Sequence, residues 1–382
     1  MPRGFGTFDT EGIRWMESRC GCSANGSKAY GHTNSRQMGT EHTTSRSVPL
    51  ESATRDGLSG LNPIGLDVLT QVFKSVRVGL VPTLLCLLDK KRRDNMANSP
   101  ILKGEPFSEE KTAQIAEQFF RDGFVYIPGV LTEDEVTALR DKSDELFADP
   151  QLMERTNPEL ADVRYIQMGA HADSTESLPF ILRNTIELDP IFRDMLLREP
   201  ILSLAEAIVG ENCKFCGQNV LRNLPGLSID RWHVDGSVHF PVTEKMPRHD
   251  PRLRMPVMWF TVQMALNDID TIEEGPTQYV RGSHYSGRHP NDQENPEFEG
   301  NKPVSILCKA GDIYLQDPQC WHRGAPNLSG KTRYILQSQY AAYWAYWRFS
   351  LCNGVPVPKD ALENADDRLM SLLGRPRVSD LN

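Results

Sequence analysis

The sequence predicts a mainly β protein, a double-sheet β barrel of jelly-roll type with helices packed outside it. The first observation is the sequence in which helical and strand-like segments follow one another along the chain. Helical patterns occupy residues 107–210, and short strand-like segments follow over residues 211–345. The second observation is composition, because β-branched and aromatic residues are frequent in those segments and Pro, Gly, Asn and Asp separate them.

Residues 1–95 differ from the rest of the chain in charge. They carry 13 Lys and Arg against 9 Asp and Glu, whereas the whole chain has 42 against 51 and a formal net charge of −9. Residues 20–47 are rich in Gly, Ser, Thr and Asn and have no apolar period, which indicates disorder. The apolar stretch 78–88 is interrupted by Pro82 and is shorter than the roughly 20 residues that span a bilayer, so we expect no membrane attachment.

We therefore expect residues 1–95 to be a disordered leader, or a stretch assigned upstream of a true start at Met96. The functional domain is placed at residues 96–382, and a chain that begins at Met96 should fold and bind its cofactors. The eight Cys are scattered and do not resemble a disulfide framework, which favours a reducing cytoplasm. No long basic tract is present, so nucleic acid is not an expected partner.

The helical part begins at residue 107. A helix capped by Ser108 and ended by Gly123 is predicted, followed by a short strand up to residue 128. The next helix, over 131–147, should start with Thr132 and Glu135 in a capping box.

A third helical pattern, over residues 190–209, should be split by Pro200. The strands that form the predicted barrel then follow, at residues 213–224, 229–235, 256–266, 277–280, 304–308, 312–317 and 333–344.

A candidate metal site lies at the end of one predicted strand, in the sequence Trp-His-Val-Asp-Gly. His233 and Asp235 are two residues apart, and side chains two apart on a strand point to the same face. An imidazole and a carboxylate on one face can reach one ion. A third ligand should come from a distant strand, and the segment that contains His322 is distinctive, because Arg333 follows that histidine eleven residues later at the start of a strand.

These segments resemble the phytanoyl-CoA dioxygenase family of iron(II)- and 2-oxoglutarate-dependent oxygenases. The resemblance rests on WHVDG, on EEGPTQYVRGSHYSG (273–287), on AGDIYLQD, and on WHRGAPNLSGKTR that ends at Arg333. It covers about residues 107–345 and none of residues 1–95. It implies a double-stranded β-helix of cupin-like type, with His233, Asp235 and His322 as iron ligands.

The resemblance also implies a reaction. The chain would hydroxylate a small organic substrate or an acyl thioester with dioxygen and 2-oxoglutarate, and release succinate and carbon dioxide. Arg333 would bind the distal carboxylate of 2-oxoglutarate, since a guanidinium binds a carboxylate through two parallel hydrogen bonds. Related halogenases have a small residue in place of Asp235, so a carboxylate there favours hydroxylation. Further contacts to 2-oxoglutarate are expected from Gln218, Asn219 and Arg222.

Some features depart from the family pattern or have simpler interpretations. Some relatives carry a Ser two residues after the distal histidine, where this chain has Gly324. His284 is more typical of a residue that organises a turn than of an iron ligand. Cys213 and Cys216 have no second pair at zinc spacing, so they are interpreted as structural thiols.

Two other functions stay open at this stage. A catalytically silent metal-binding barrel would have little use for Arg333, and a zinc hydrolase, which also uses two His and one carboxylate, would have no use for it either. The substrate is not apparent from the sequence. Residues 236–256 are expected to form a lid, with Arg248, Arg252 and Arg254 near the entrance, where they could meet an acyl-CoA phosphate or a carboxylate. The alternative, which we favour, is that these arginines belong to a solvated loop.

Overall fold

The structure is a computed structural model, and it describes residues 99–155, 166–170, 177–349, 355–363, 365–374 and 377–378. The predictions for residues 1–95 lie outside these ranges. None of the described helices is long and apolar enough to cross a membrane.

Helices precede most of the strands, as the sequence predicts. They are α1 (Glu109–Asp122), α2 (Glu133–Phe147), α3 (Pro150–Arg155), α4 (Thr185–Leu188), α5 (Pro190–Asp194), α6 (Ile201–Val209), α7 (Tyr343–Tyr346), α8 (Lys359–Glu363) and α9 (Asp367–Leu373).

The predicted helix ends are confirmed. At the start of α1, the Ser108 side chain accepts a hydrogen bond from Lys111 N, and α1 ends at Gly123 with φ +83°. That positive φ explains the glycine, because a side chain there would be strained. Thr132 and Glu135 form both bonds of the capping box of α2. A short 3₁₀ turn, Met195–Leu197, and Pro200 separate α5 from α6.

Eleven of the described strands form two antiparallel sheets. Their ranges are β1 (Phe124–Ile127), β2 (Ile166–Ala170), β3 (Ser177–Arg183), β4 (Lys214–Asn223), β5 (Ile229–His233), β6 (Trp259–Ala265), β7 (Thr277–Val280), β8 (Pro303–Ser305), β9 (Ile313–Gln316), β10 (His322–Gly324) and β11 (Arg333–Ala341). The larger sheet has the order β1-β9-β6-β11-β4-β3-β2, and the smaller has the order β5-β10-β7-β8. A separate parallel pair is formed by β12 (Pro356–Val357) and β13 (Arg377–Val378).

The larger sheet has an apolar layer on each face. On β9, Ile313 and Leu315 belong to the core that packs against the helices, while Tyr314 belongs to the core between the two sheets. Phe124 of the larger sheet stacks on Tyr279 of the smaller one with ring centroids 4.7 Å apart. This arrangement confirms the predicted double-sheet fold with helices outside. Alternation along each strand therefore decides which side chains point between the sheets.

The sequence analysis missed β2, β3 and β10. The last of these has only three residues and lies between Trp321 and the Ala325-Pro326 dipeptide, so it shows no alternating pattern. It is nevertheless paired on both sides, with β5 and with β7. Pairing with neighbours, rather than propensity, makes this segment a strand.

Candidate active site

The two sequence-predicted histidines meet across neighbouring strands. His322 on β10 is the direct register partner of His233, the last residue of β5. Their ring centroids are 4.2 Å apart. His322 is nearly buried, with 8% of its side chain exposed, whereas 32% of the His233 side chain is exposed. The pair therefore lies at the rim of the smaller sheet, with one ring toward the interior.

Asp235 lies just beyond the end of β5 and completes the cluster. Its amide N donates to Pro318 O at 2.8 Å, which fixes the turn, and Gly236 follows with φ +69°. Asp235 Oδ1 lies 3.7 Å from His233 Nε2 and 3.5 Å from His322 Nε2. Only His233 of the predicted pair is inside the strand, so a turn rather than strand alternation brings the carboxylate to the histidines.

Both imidazoles are held in a ligating orientation by backbone carbonyls. His233 Nδ1 donates to Arg231 O at 2.8 Å, and His322 Nδ1 donates to Cys320 O at 2.8 Å. A hydrogen on Nδ1 leaves a lone pair on Nε2, which is the atom that faces Asp235 in each case. The backbone thus selects the tautomer that a metal ion requires.

Electrostatics favour an ionised carboxylate at this position. Burial opposes ionisation of Asp235, but His322 and His233 outweigh it and hold the pKa of the carboxyl below its usual value. Burial likewise opposes protonation of His322, yet Asp235 raises the pKa of that imidazole. Burial and the neighbouring His322 lower the pKa of His233. Asp235 therefore carries a negative charge in the cluster, and this charge attracts a cation.

The donor set fits a divalent transition metal. One atom from each of His233, Asp235 and His322 lies within 4.8 Å of the others. Ligand atoms held at ~2.1 Å from one ion lie about 3 Å apart at right angles, so a small adjustment would place all three on one ion. Two imidazoles and one carboxylate on one face are typical of non-haem iron(II) oxygenases, in which the other positions stay open for substrates.

A glutamine that the sequence analysis missed contacts the cluster. Gln316 Nε2 lies 3.2 Å from Asp235 Oδ2 and 3.0 Å from His322 Nε2. Gln316 Oε1 accepts from Gln263 Nε2 and from Tyr279 OH, both at 2.7 Å. The signal was present in the sequence, because a buried strand with an amide at its end requires hydrogen-bond partners for that amide. Gln316 orients the free oxygen of Asp235.

Arg333 is the buried cation of the site. It is 3% exposed, and burial lowers the pKa of its guanidinium. Nη1 donates to Gly275 O, and Nη2 lies 3.3 Å from the side-chain amide of Asn223. Nε has no hydrogen-bond partner, and no carboxylate of the described residues pairs with the guanidinium. A buried charge without a counter-charge is costly, so this arrangement is suited to an anionic ligand.

One cavity of about 260 Å³ joins the cluster to Arg333. Arg333, Ile335, Gln337 and Gln339 all line it, because alternate residues of β11 point to the same face. We name it the metal cavity. Its cationic wall and its metal cluster together fit a molecule with a chelating end and a distal carboxylate, which describes 2-oxoglutarate.

The additional contacts expected from β4 are only partly present. Asn219 lines the metal cavity. The prediction is wrong for Gln218, which bonds to Thr185, to Phe192 O and to Ser338, and for Arg222, which lies over the Phe147 ring. Successive residues of a strand point to opposite faces. Because Asn219 points toward the metal cavity, Gln218 and Arg222 point away from it.

Gly324 lies directly beside the buried arginine. A Cβ at that position would be 3.4 Å from Arg333 Nη2. Thr277 is its register partner on β7, lines the metal cavity, and has its hydroxyl 2.9 Å from Tyr314 OH. A hydroxyl on the neighbouring strand is thus available where some relatives place a serine.

The simpler interpretations of His284 and the cysteines agree with the structure. His284 is buried in a 3₁₀ turn, and its Nε2 donates to Phe120 O at 3.0 Å, so it organises the loop after β7. Cys213 belongs to the helix-side core. Cys216 is a buried thiol that lines a different cavity.

The structure places the three arginines of residues 236–256 away from the metal cavity, in line with the solvated-loop alternative. Arg248, Arg252 and Arg254 line a separate groove of about 490 Å³ together with Arg121 and Arg281, and none of these residues lines the metal cavity.

The cause is the path of residues 236–256. Val242 N and His249 N donate to carbonyls of Gly287 and Tyr285, and Arg288 donates to Pro247 O. These bonds hold the middle of the segment against the loop after β7.

The fold and the cluster define a class of protein. A double-sheet barrel that carries two His and one carboxylate, with a buried arginine in the same cavity, is the arrangement expected of a non-haem iron oxygenase. The chain matches the phytanoyl-CoA dioxygenase (PhyH) family over residues 119–335 and belongs to that family. This confirms the predicted family and cofactors, and it confirms the enzyme class at the level of an iron- and 2-oxoglutarate-dependent oxygenase type, whereas hydroxylation stays a prediction.

Similar proteins include a dioxygenase and an uncharacterized protein. The chain is 27% identical over 193 residues to dioxygenase af480 of Aspergillus fumigatus, covering 50% of this chain and 57% of that protein. It is 24% identical over 225 residues to the uncharacterized protein Rv1501 of Mycobacterium tuberculosis, covering 57% of this chain and 71% of that protein. The match thus spans little more than half of the fungal dioxygenase.

Similar solved structures include two proteins with a bound metal. The epimerase SnoN, in complex with Fe3+, alpha ketoglutarate and nogalamycin RO, is 19% identical with a TM-score of 0.46, covering 61% of this chain and 84% of that one. HygX from Streptomyces hygroscopicus, with nickel and 2-oxoglutarate bound, is 17% identical with a TM-score of 0.43, covering 72% of this chain and 97% of that one.

Proposed function

We propose that the protein hydroxylates a small organic substrate with iron(II), dioxygen and 2-oxoglutarate. The observation that carries the proposal is a single cavity that contains both the His-Asp-His cluster and Arg333. A metal-storing barrel or a zinc hydrolase has no need of a buried guanidinium in the metal cavity. A co-substrate with a distal carboxylate gives that guanidinium its counter-charge.

In this proposal His233, Asp235 and His322 hold the iron, and Arg333 binds the distal carboxylate of 2-oxoglutarate. The bound iron and 2-oxoglutarate supply the activation of dioxygen. One oxygen atom enters a C–H bond of the substrate as a hydroxyl group. The other enters succinate as 2-oxoglutarate loses carbon dioxide, so the four electrons that reduce dioxygen come from the oxo acid and the substrate.

The protein groups contribute orientation rather than bond making. Gln316 restrains Asp235 through the 3.2 Å contact to Oδ2, which leaves Oδ1 directed at the histidines. Arg333 would hold the distal carboxylate of 2-oxoglutarate, and its own position is fixed because its backbone belongs to the paired strand β11. A carboxylate at residue 235 also occupies the coordination position that a halide would need, which supports hydroxylation.

The test is metal analysis and turnover on protein purified without oxygen. We expect one iron per chain, succinate formation that requires both iron and 2-oxoglutarate, and a product heavier than the substrate by one oxygen atom. Zinc content without succinate would favour the hydrolase. Binding of iron and 2-oxoglutarate without turnover across a broad substrate panel would favour the silent barrel. A product of unchanged mass would indicate isomerisation instead of hydroxylation.

A further inference from the structure

A second cavity, of about 550 Å³, adjoins the metal cavity, and both are lined by Asp235 and Gln339. We name it the apolar cavity, because its walls are mainly formed by Val238, Phe240, Met258, Trp259, Trp344 and Phe349. Its volume lies within the ~300–1,000 Å³ typical of pockets for small organic molecules. Because an iron ligand forms part of its wall, a molecule inside it would lie next to the reacting centre.

The two cavities differ in charge. The metal cavity is lined by Arg183, Arg323 and Arg333, whereas no Lys or Arg of the described residues lines the apolar cavity. Asp235, which belongs to the metal cluster, is the one carboxylate among its described walls. An anion placed there would lose its hydration without gaining a counter-ion, which is unfavourable. The charged co-substrate and a neutral molecule would thus occupy opposite sides of Asp235.

A few polar groups interrupt the apolar walls. Ser237, His239 and Gln339 can each offer a hydrogen bond, and they lie among aromatic and aliphatic side chains. Burial lowers the pKa of His239, which favours its uncharged imidazole. A small number of polar groups in an apolar pocket fixes the orientation of a ligand without requiring it to be charged.

Exposed aromatic side chains mark the mouth of the apolar cavity. Trp344 and Phe349 line it although 46% and 42% of their surfaces are exposed, and their rings meet edge to face with centroids 6.4 Å apart. Large aromatic residues exposed together are typical of binding sites. The neighbouring Tyr343 is 52% exposed but does not line the cavity, which makes it a matched control.

We propose that the apolar cavity is the substrate site, and that it takes an uncharged, largely apolar organic molecule with a flat ring that stacks at Trp344. This inference rests on the proposed function, because it assigns the substrate of the same iron centre. The assigned substrate class excludes acyl thioesters of coenzyme A. The cluster of Arg248, Arg252 and Arg254, which could bind the phosphates of such a thioester, lines a groove that shares no residue with the apolar cavity.

The test uses the full chain and N-phenyl-1-naphthylamine, an uncharged aromatic probe whose fluorescence rises in apolar surroundings. We expect the probe to bind, Trp344→Ala to weaken its binding about tenfold, and Tyr343→Ala to change it less than about twofold. Met258→Trp, which fills the cavity, should also reduce probe binding. Excess coenzyme A should not displace the probe, and uncharged aromatic compounds should release more succinate than acyl thioesters in the turnover assay.

The outcomes separate this inference from the proposed function, because iron and 2-oxoglutarate binding is measured on the same proteins. Equal effects of Trp344→Ala and Tyr343→Ala, displacement of the probe by coenzyme A, or a preference for acyl thioesters would overturn the assigned substrate class while the iron complex stays intact. Failure of the unaltered protein to bind iron and 2-oxoglutarate would overturn the proposed function and the assignment of the cavity as a substrate site.

Discussion

His233 and His322 stand directly opposite each other on neighbouring antiparallel strands, with their ring centroids 4.2 Å apart. The register of β5 and β10 produces this meeting. Since side chains alternate along a strand, a slip by one residue would turn one imidazole to the opposite face of the sheet. The proposed metal site therefore depends on strand pairing between two segments that are far apart in the sequence.

The iron ligands give the first prediction. We expect His233→Ala, Asp235→Ala and His322→Ala each to abolish stoichiometric iron binding and turnover, because each removes one of three converging donors. Metal content after anaerobic reconstitution measures the effect. His289→Ala is the control, since His289 is exposed and outside the cluster.

Asp235→Gly should retain weak iron binding through the two histidines but lose hydroxylation. If a variant of one of these three residues keeps nearly full activity, that residue is not an iron ligand.

Arg333 gives the second prediction. We expect Arg333→Ala to raise the KM for 2-oxoglutarate about 30-fold or more with iron binding retained, because losing a charge-assisted contact in a buried site costs about 2–5 kcal/mol. Arg252→Ala removes the same charge from the surface, where the side chain is 86% exposed, and should leave that KM unchanged. An unchanged dependence on 2-oxoglutarate in Arg333→Ala would place the anchor elsewhere.

Gln316 gives the third prediction. Replacing it by Leu should weaken iron binding about 10- to 100-fold, because groups that orient metal ligands typically contribute that much to affinity. Gln278→Leu is the control, since Gln278 is a buried amide that bonds to Ser305 at 2.9 Å and does not line the metal cavity. Both proteins should be titrated with iron after their thermal unfolding has been compared. Equal iron affinities for the two variants would show that Gln316 has only a structural role.

The fourth prediction concerns acid stability. Glu135 is buried and bonds to Arg198 Nε at 2.7 Å; burial opposes its ionisation, but the guanidinium and backbone amides hold the pKa of the carboxyl below its usual value. A lowered pKa means stability that is present above the unfolded-state pKa of about 4.3 and is lost as the pH falls through the folded-state value. Urea unfolding should show this fall in the free energy of unfolding.

Glu135→Gln should flatten that pH dependence and destabilise the protein at pH 7 by about 3–5 kcal/mol, because it leaves the Arg198 guanidinium buried without its counter-charge. Glu133→Gln, at an exposed position of the same helix, should do neither. An unaltered acid slope in Glu135→Gln would assign the acid sensitivity to other carboxylates.

The helical part was largely predictable because its signals are local. Ser108, Gly123 and the pair Thr132 and Glu135 act within one turn of the helices that they begin or end. Local hydrogen bonds and backbone conformation do not depend on the rest of the fold. The strand β10 was missed for the opposite reason, because its three residues are held by two neighbouring strands.

By itself, the sequence determined the fold class, the order of most helices and strands, and the candidate pair His233 and Asp235, since residue type and spacing carry that information. Its resemblance to a known family added His322 and Arg333 as candidates. The tertiary structure decided what those residues meet. Strand register brought His322 to His233, and alternation turned Asn219 but not Gln218 toward the metal cavity. Packing placed Trp344 at the apolar cavity and Arg252 in another groove. These are contacts between distant segments, and they exist only once the sheets have paired and packed.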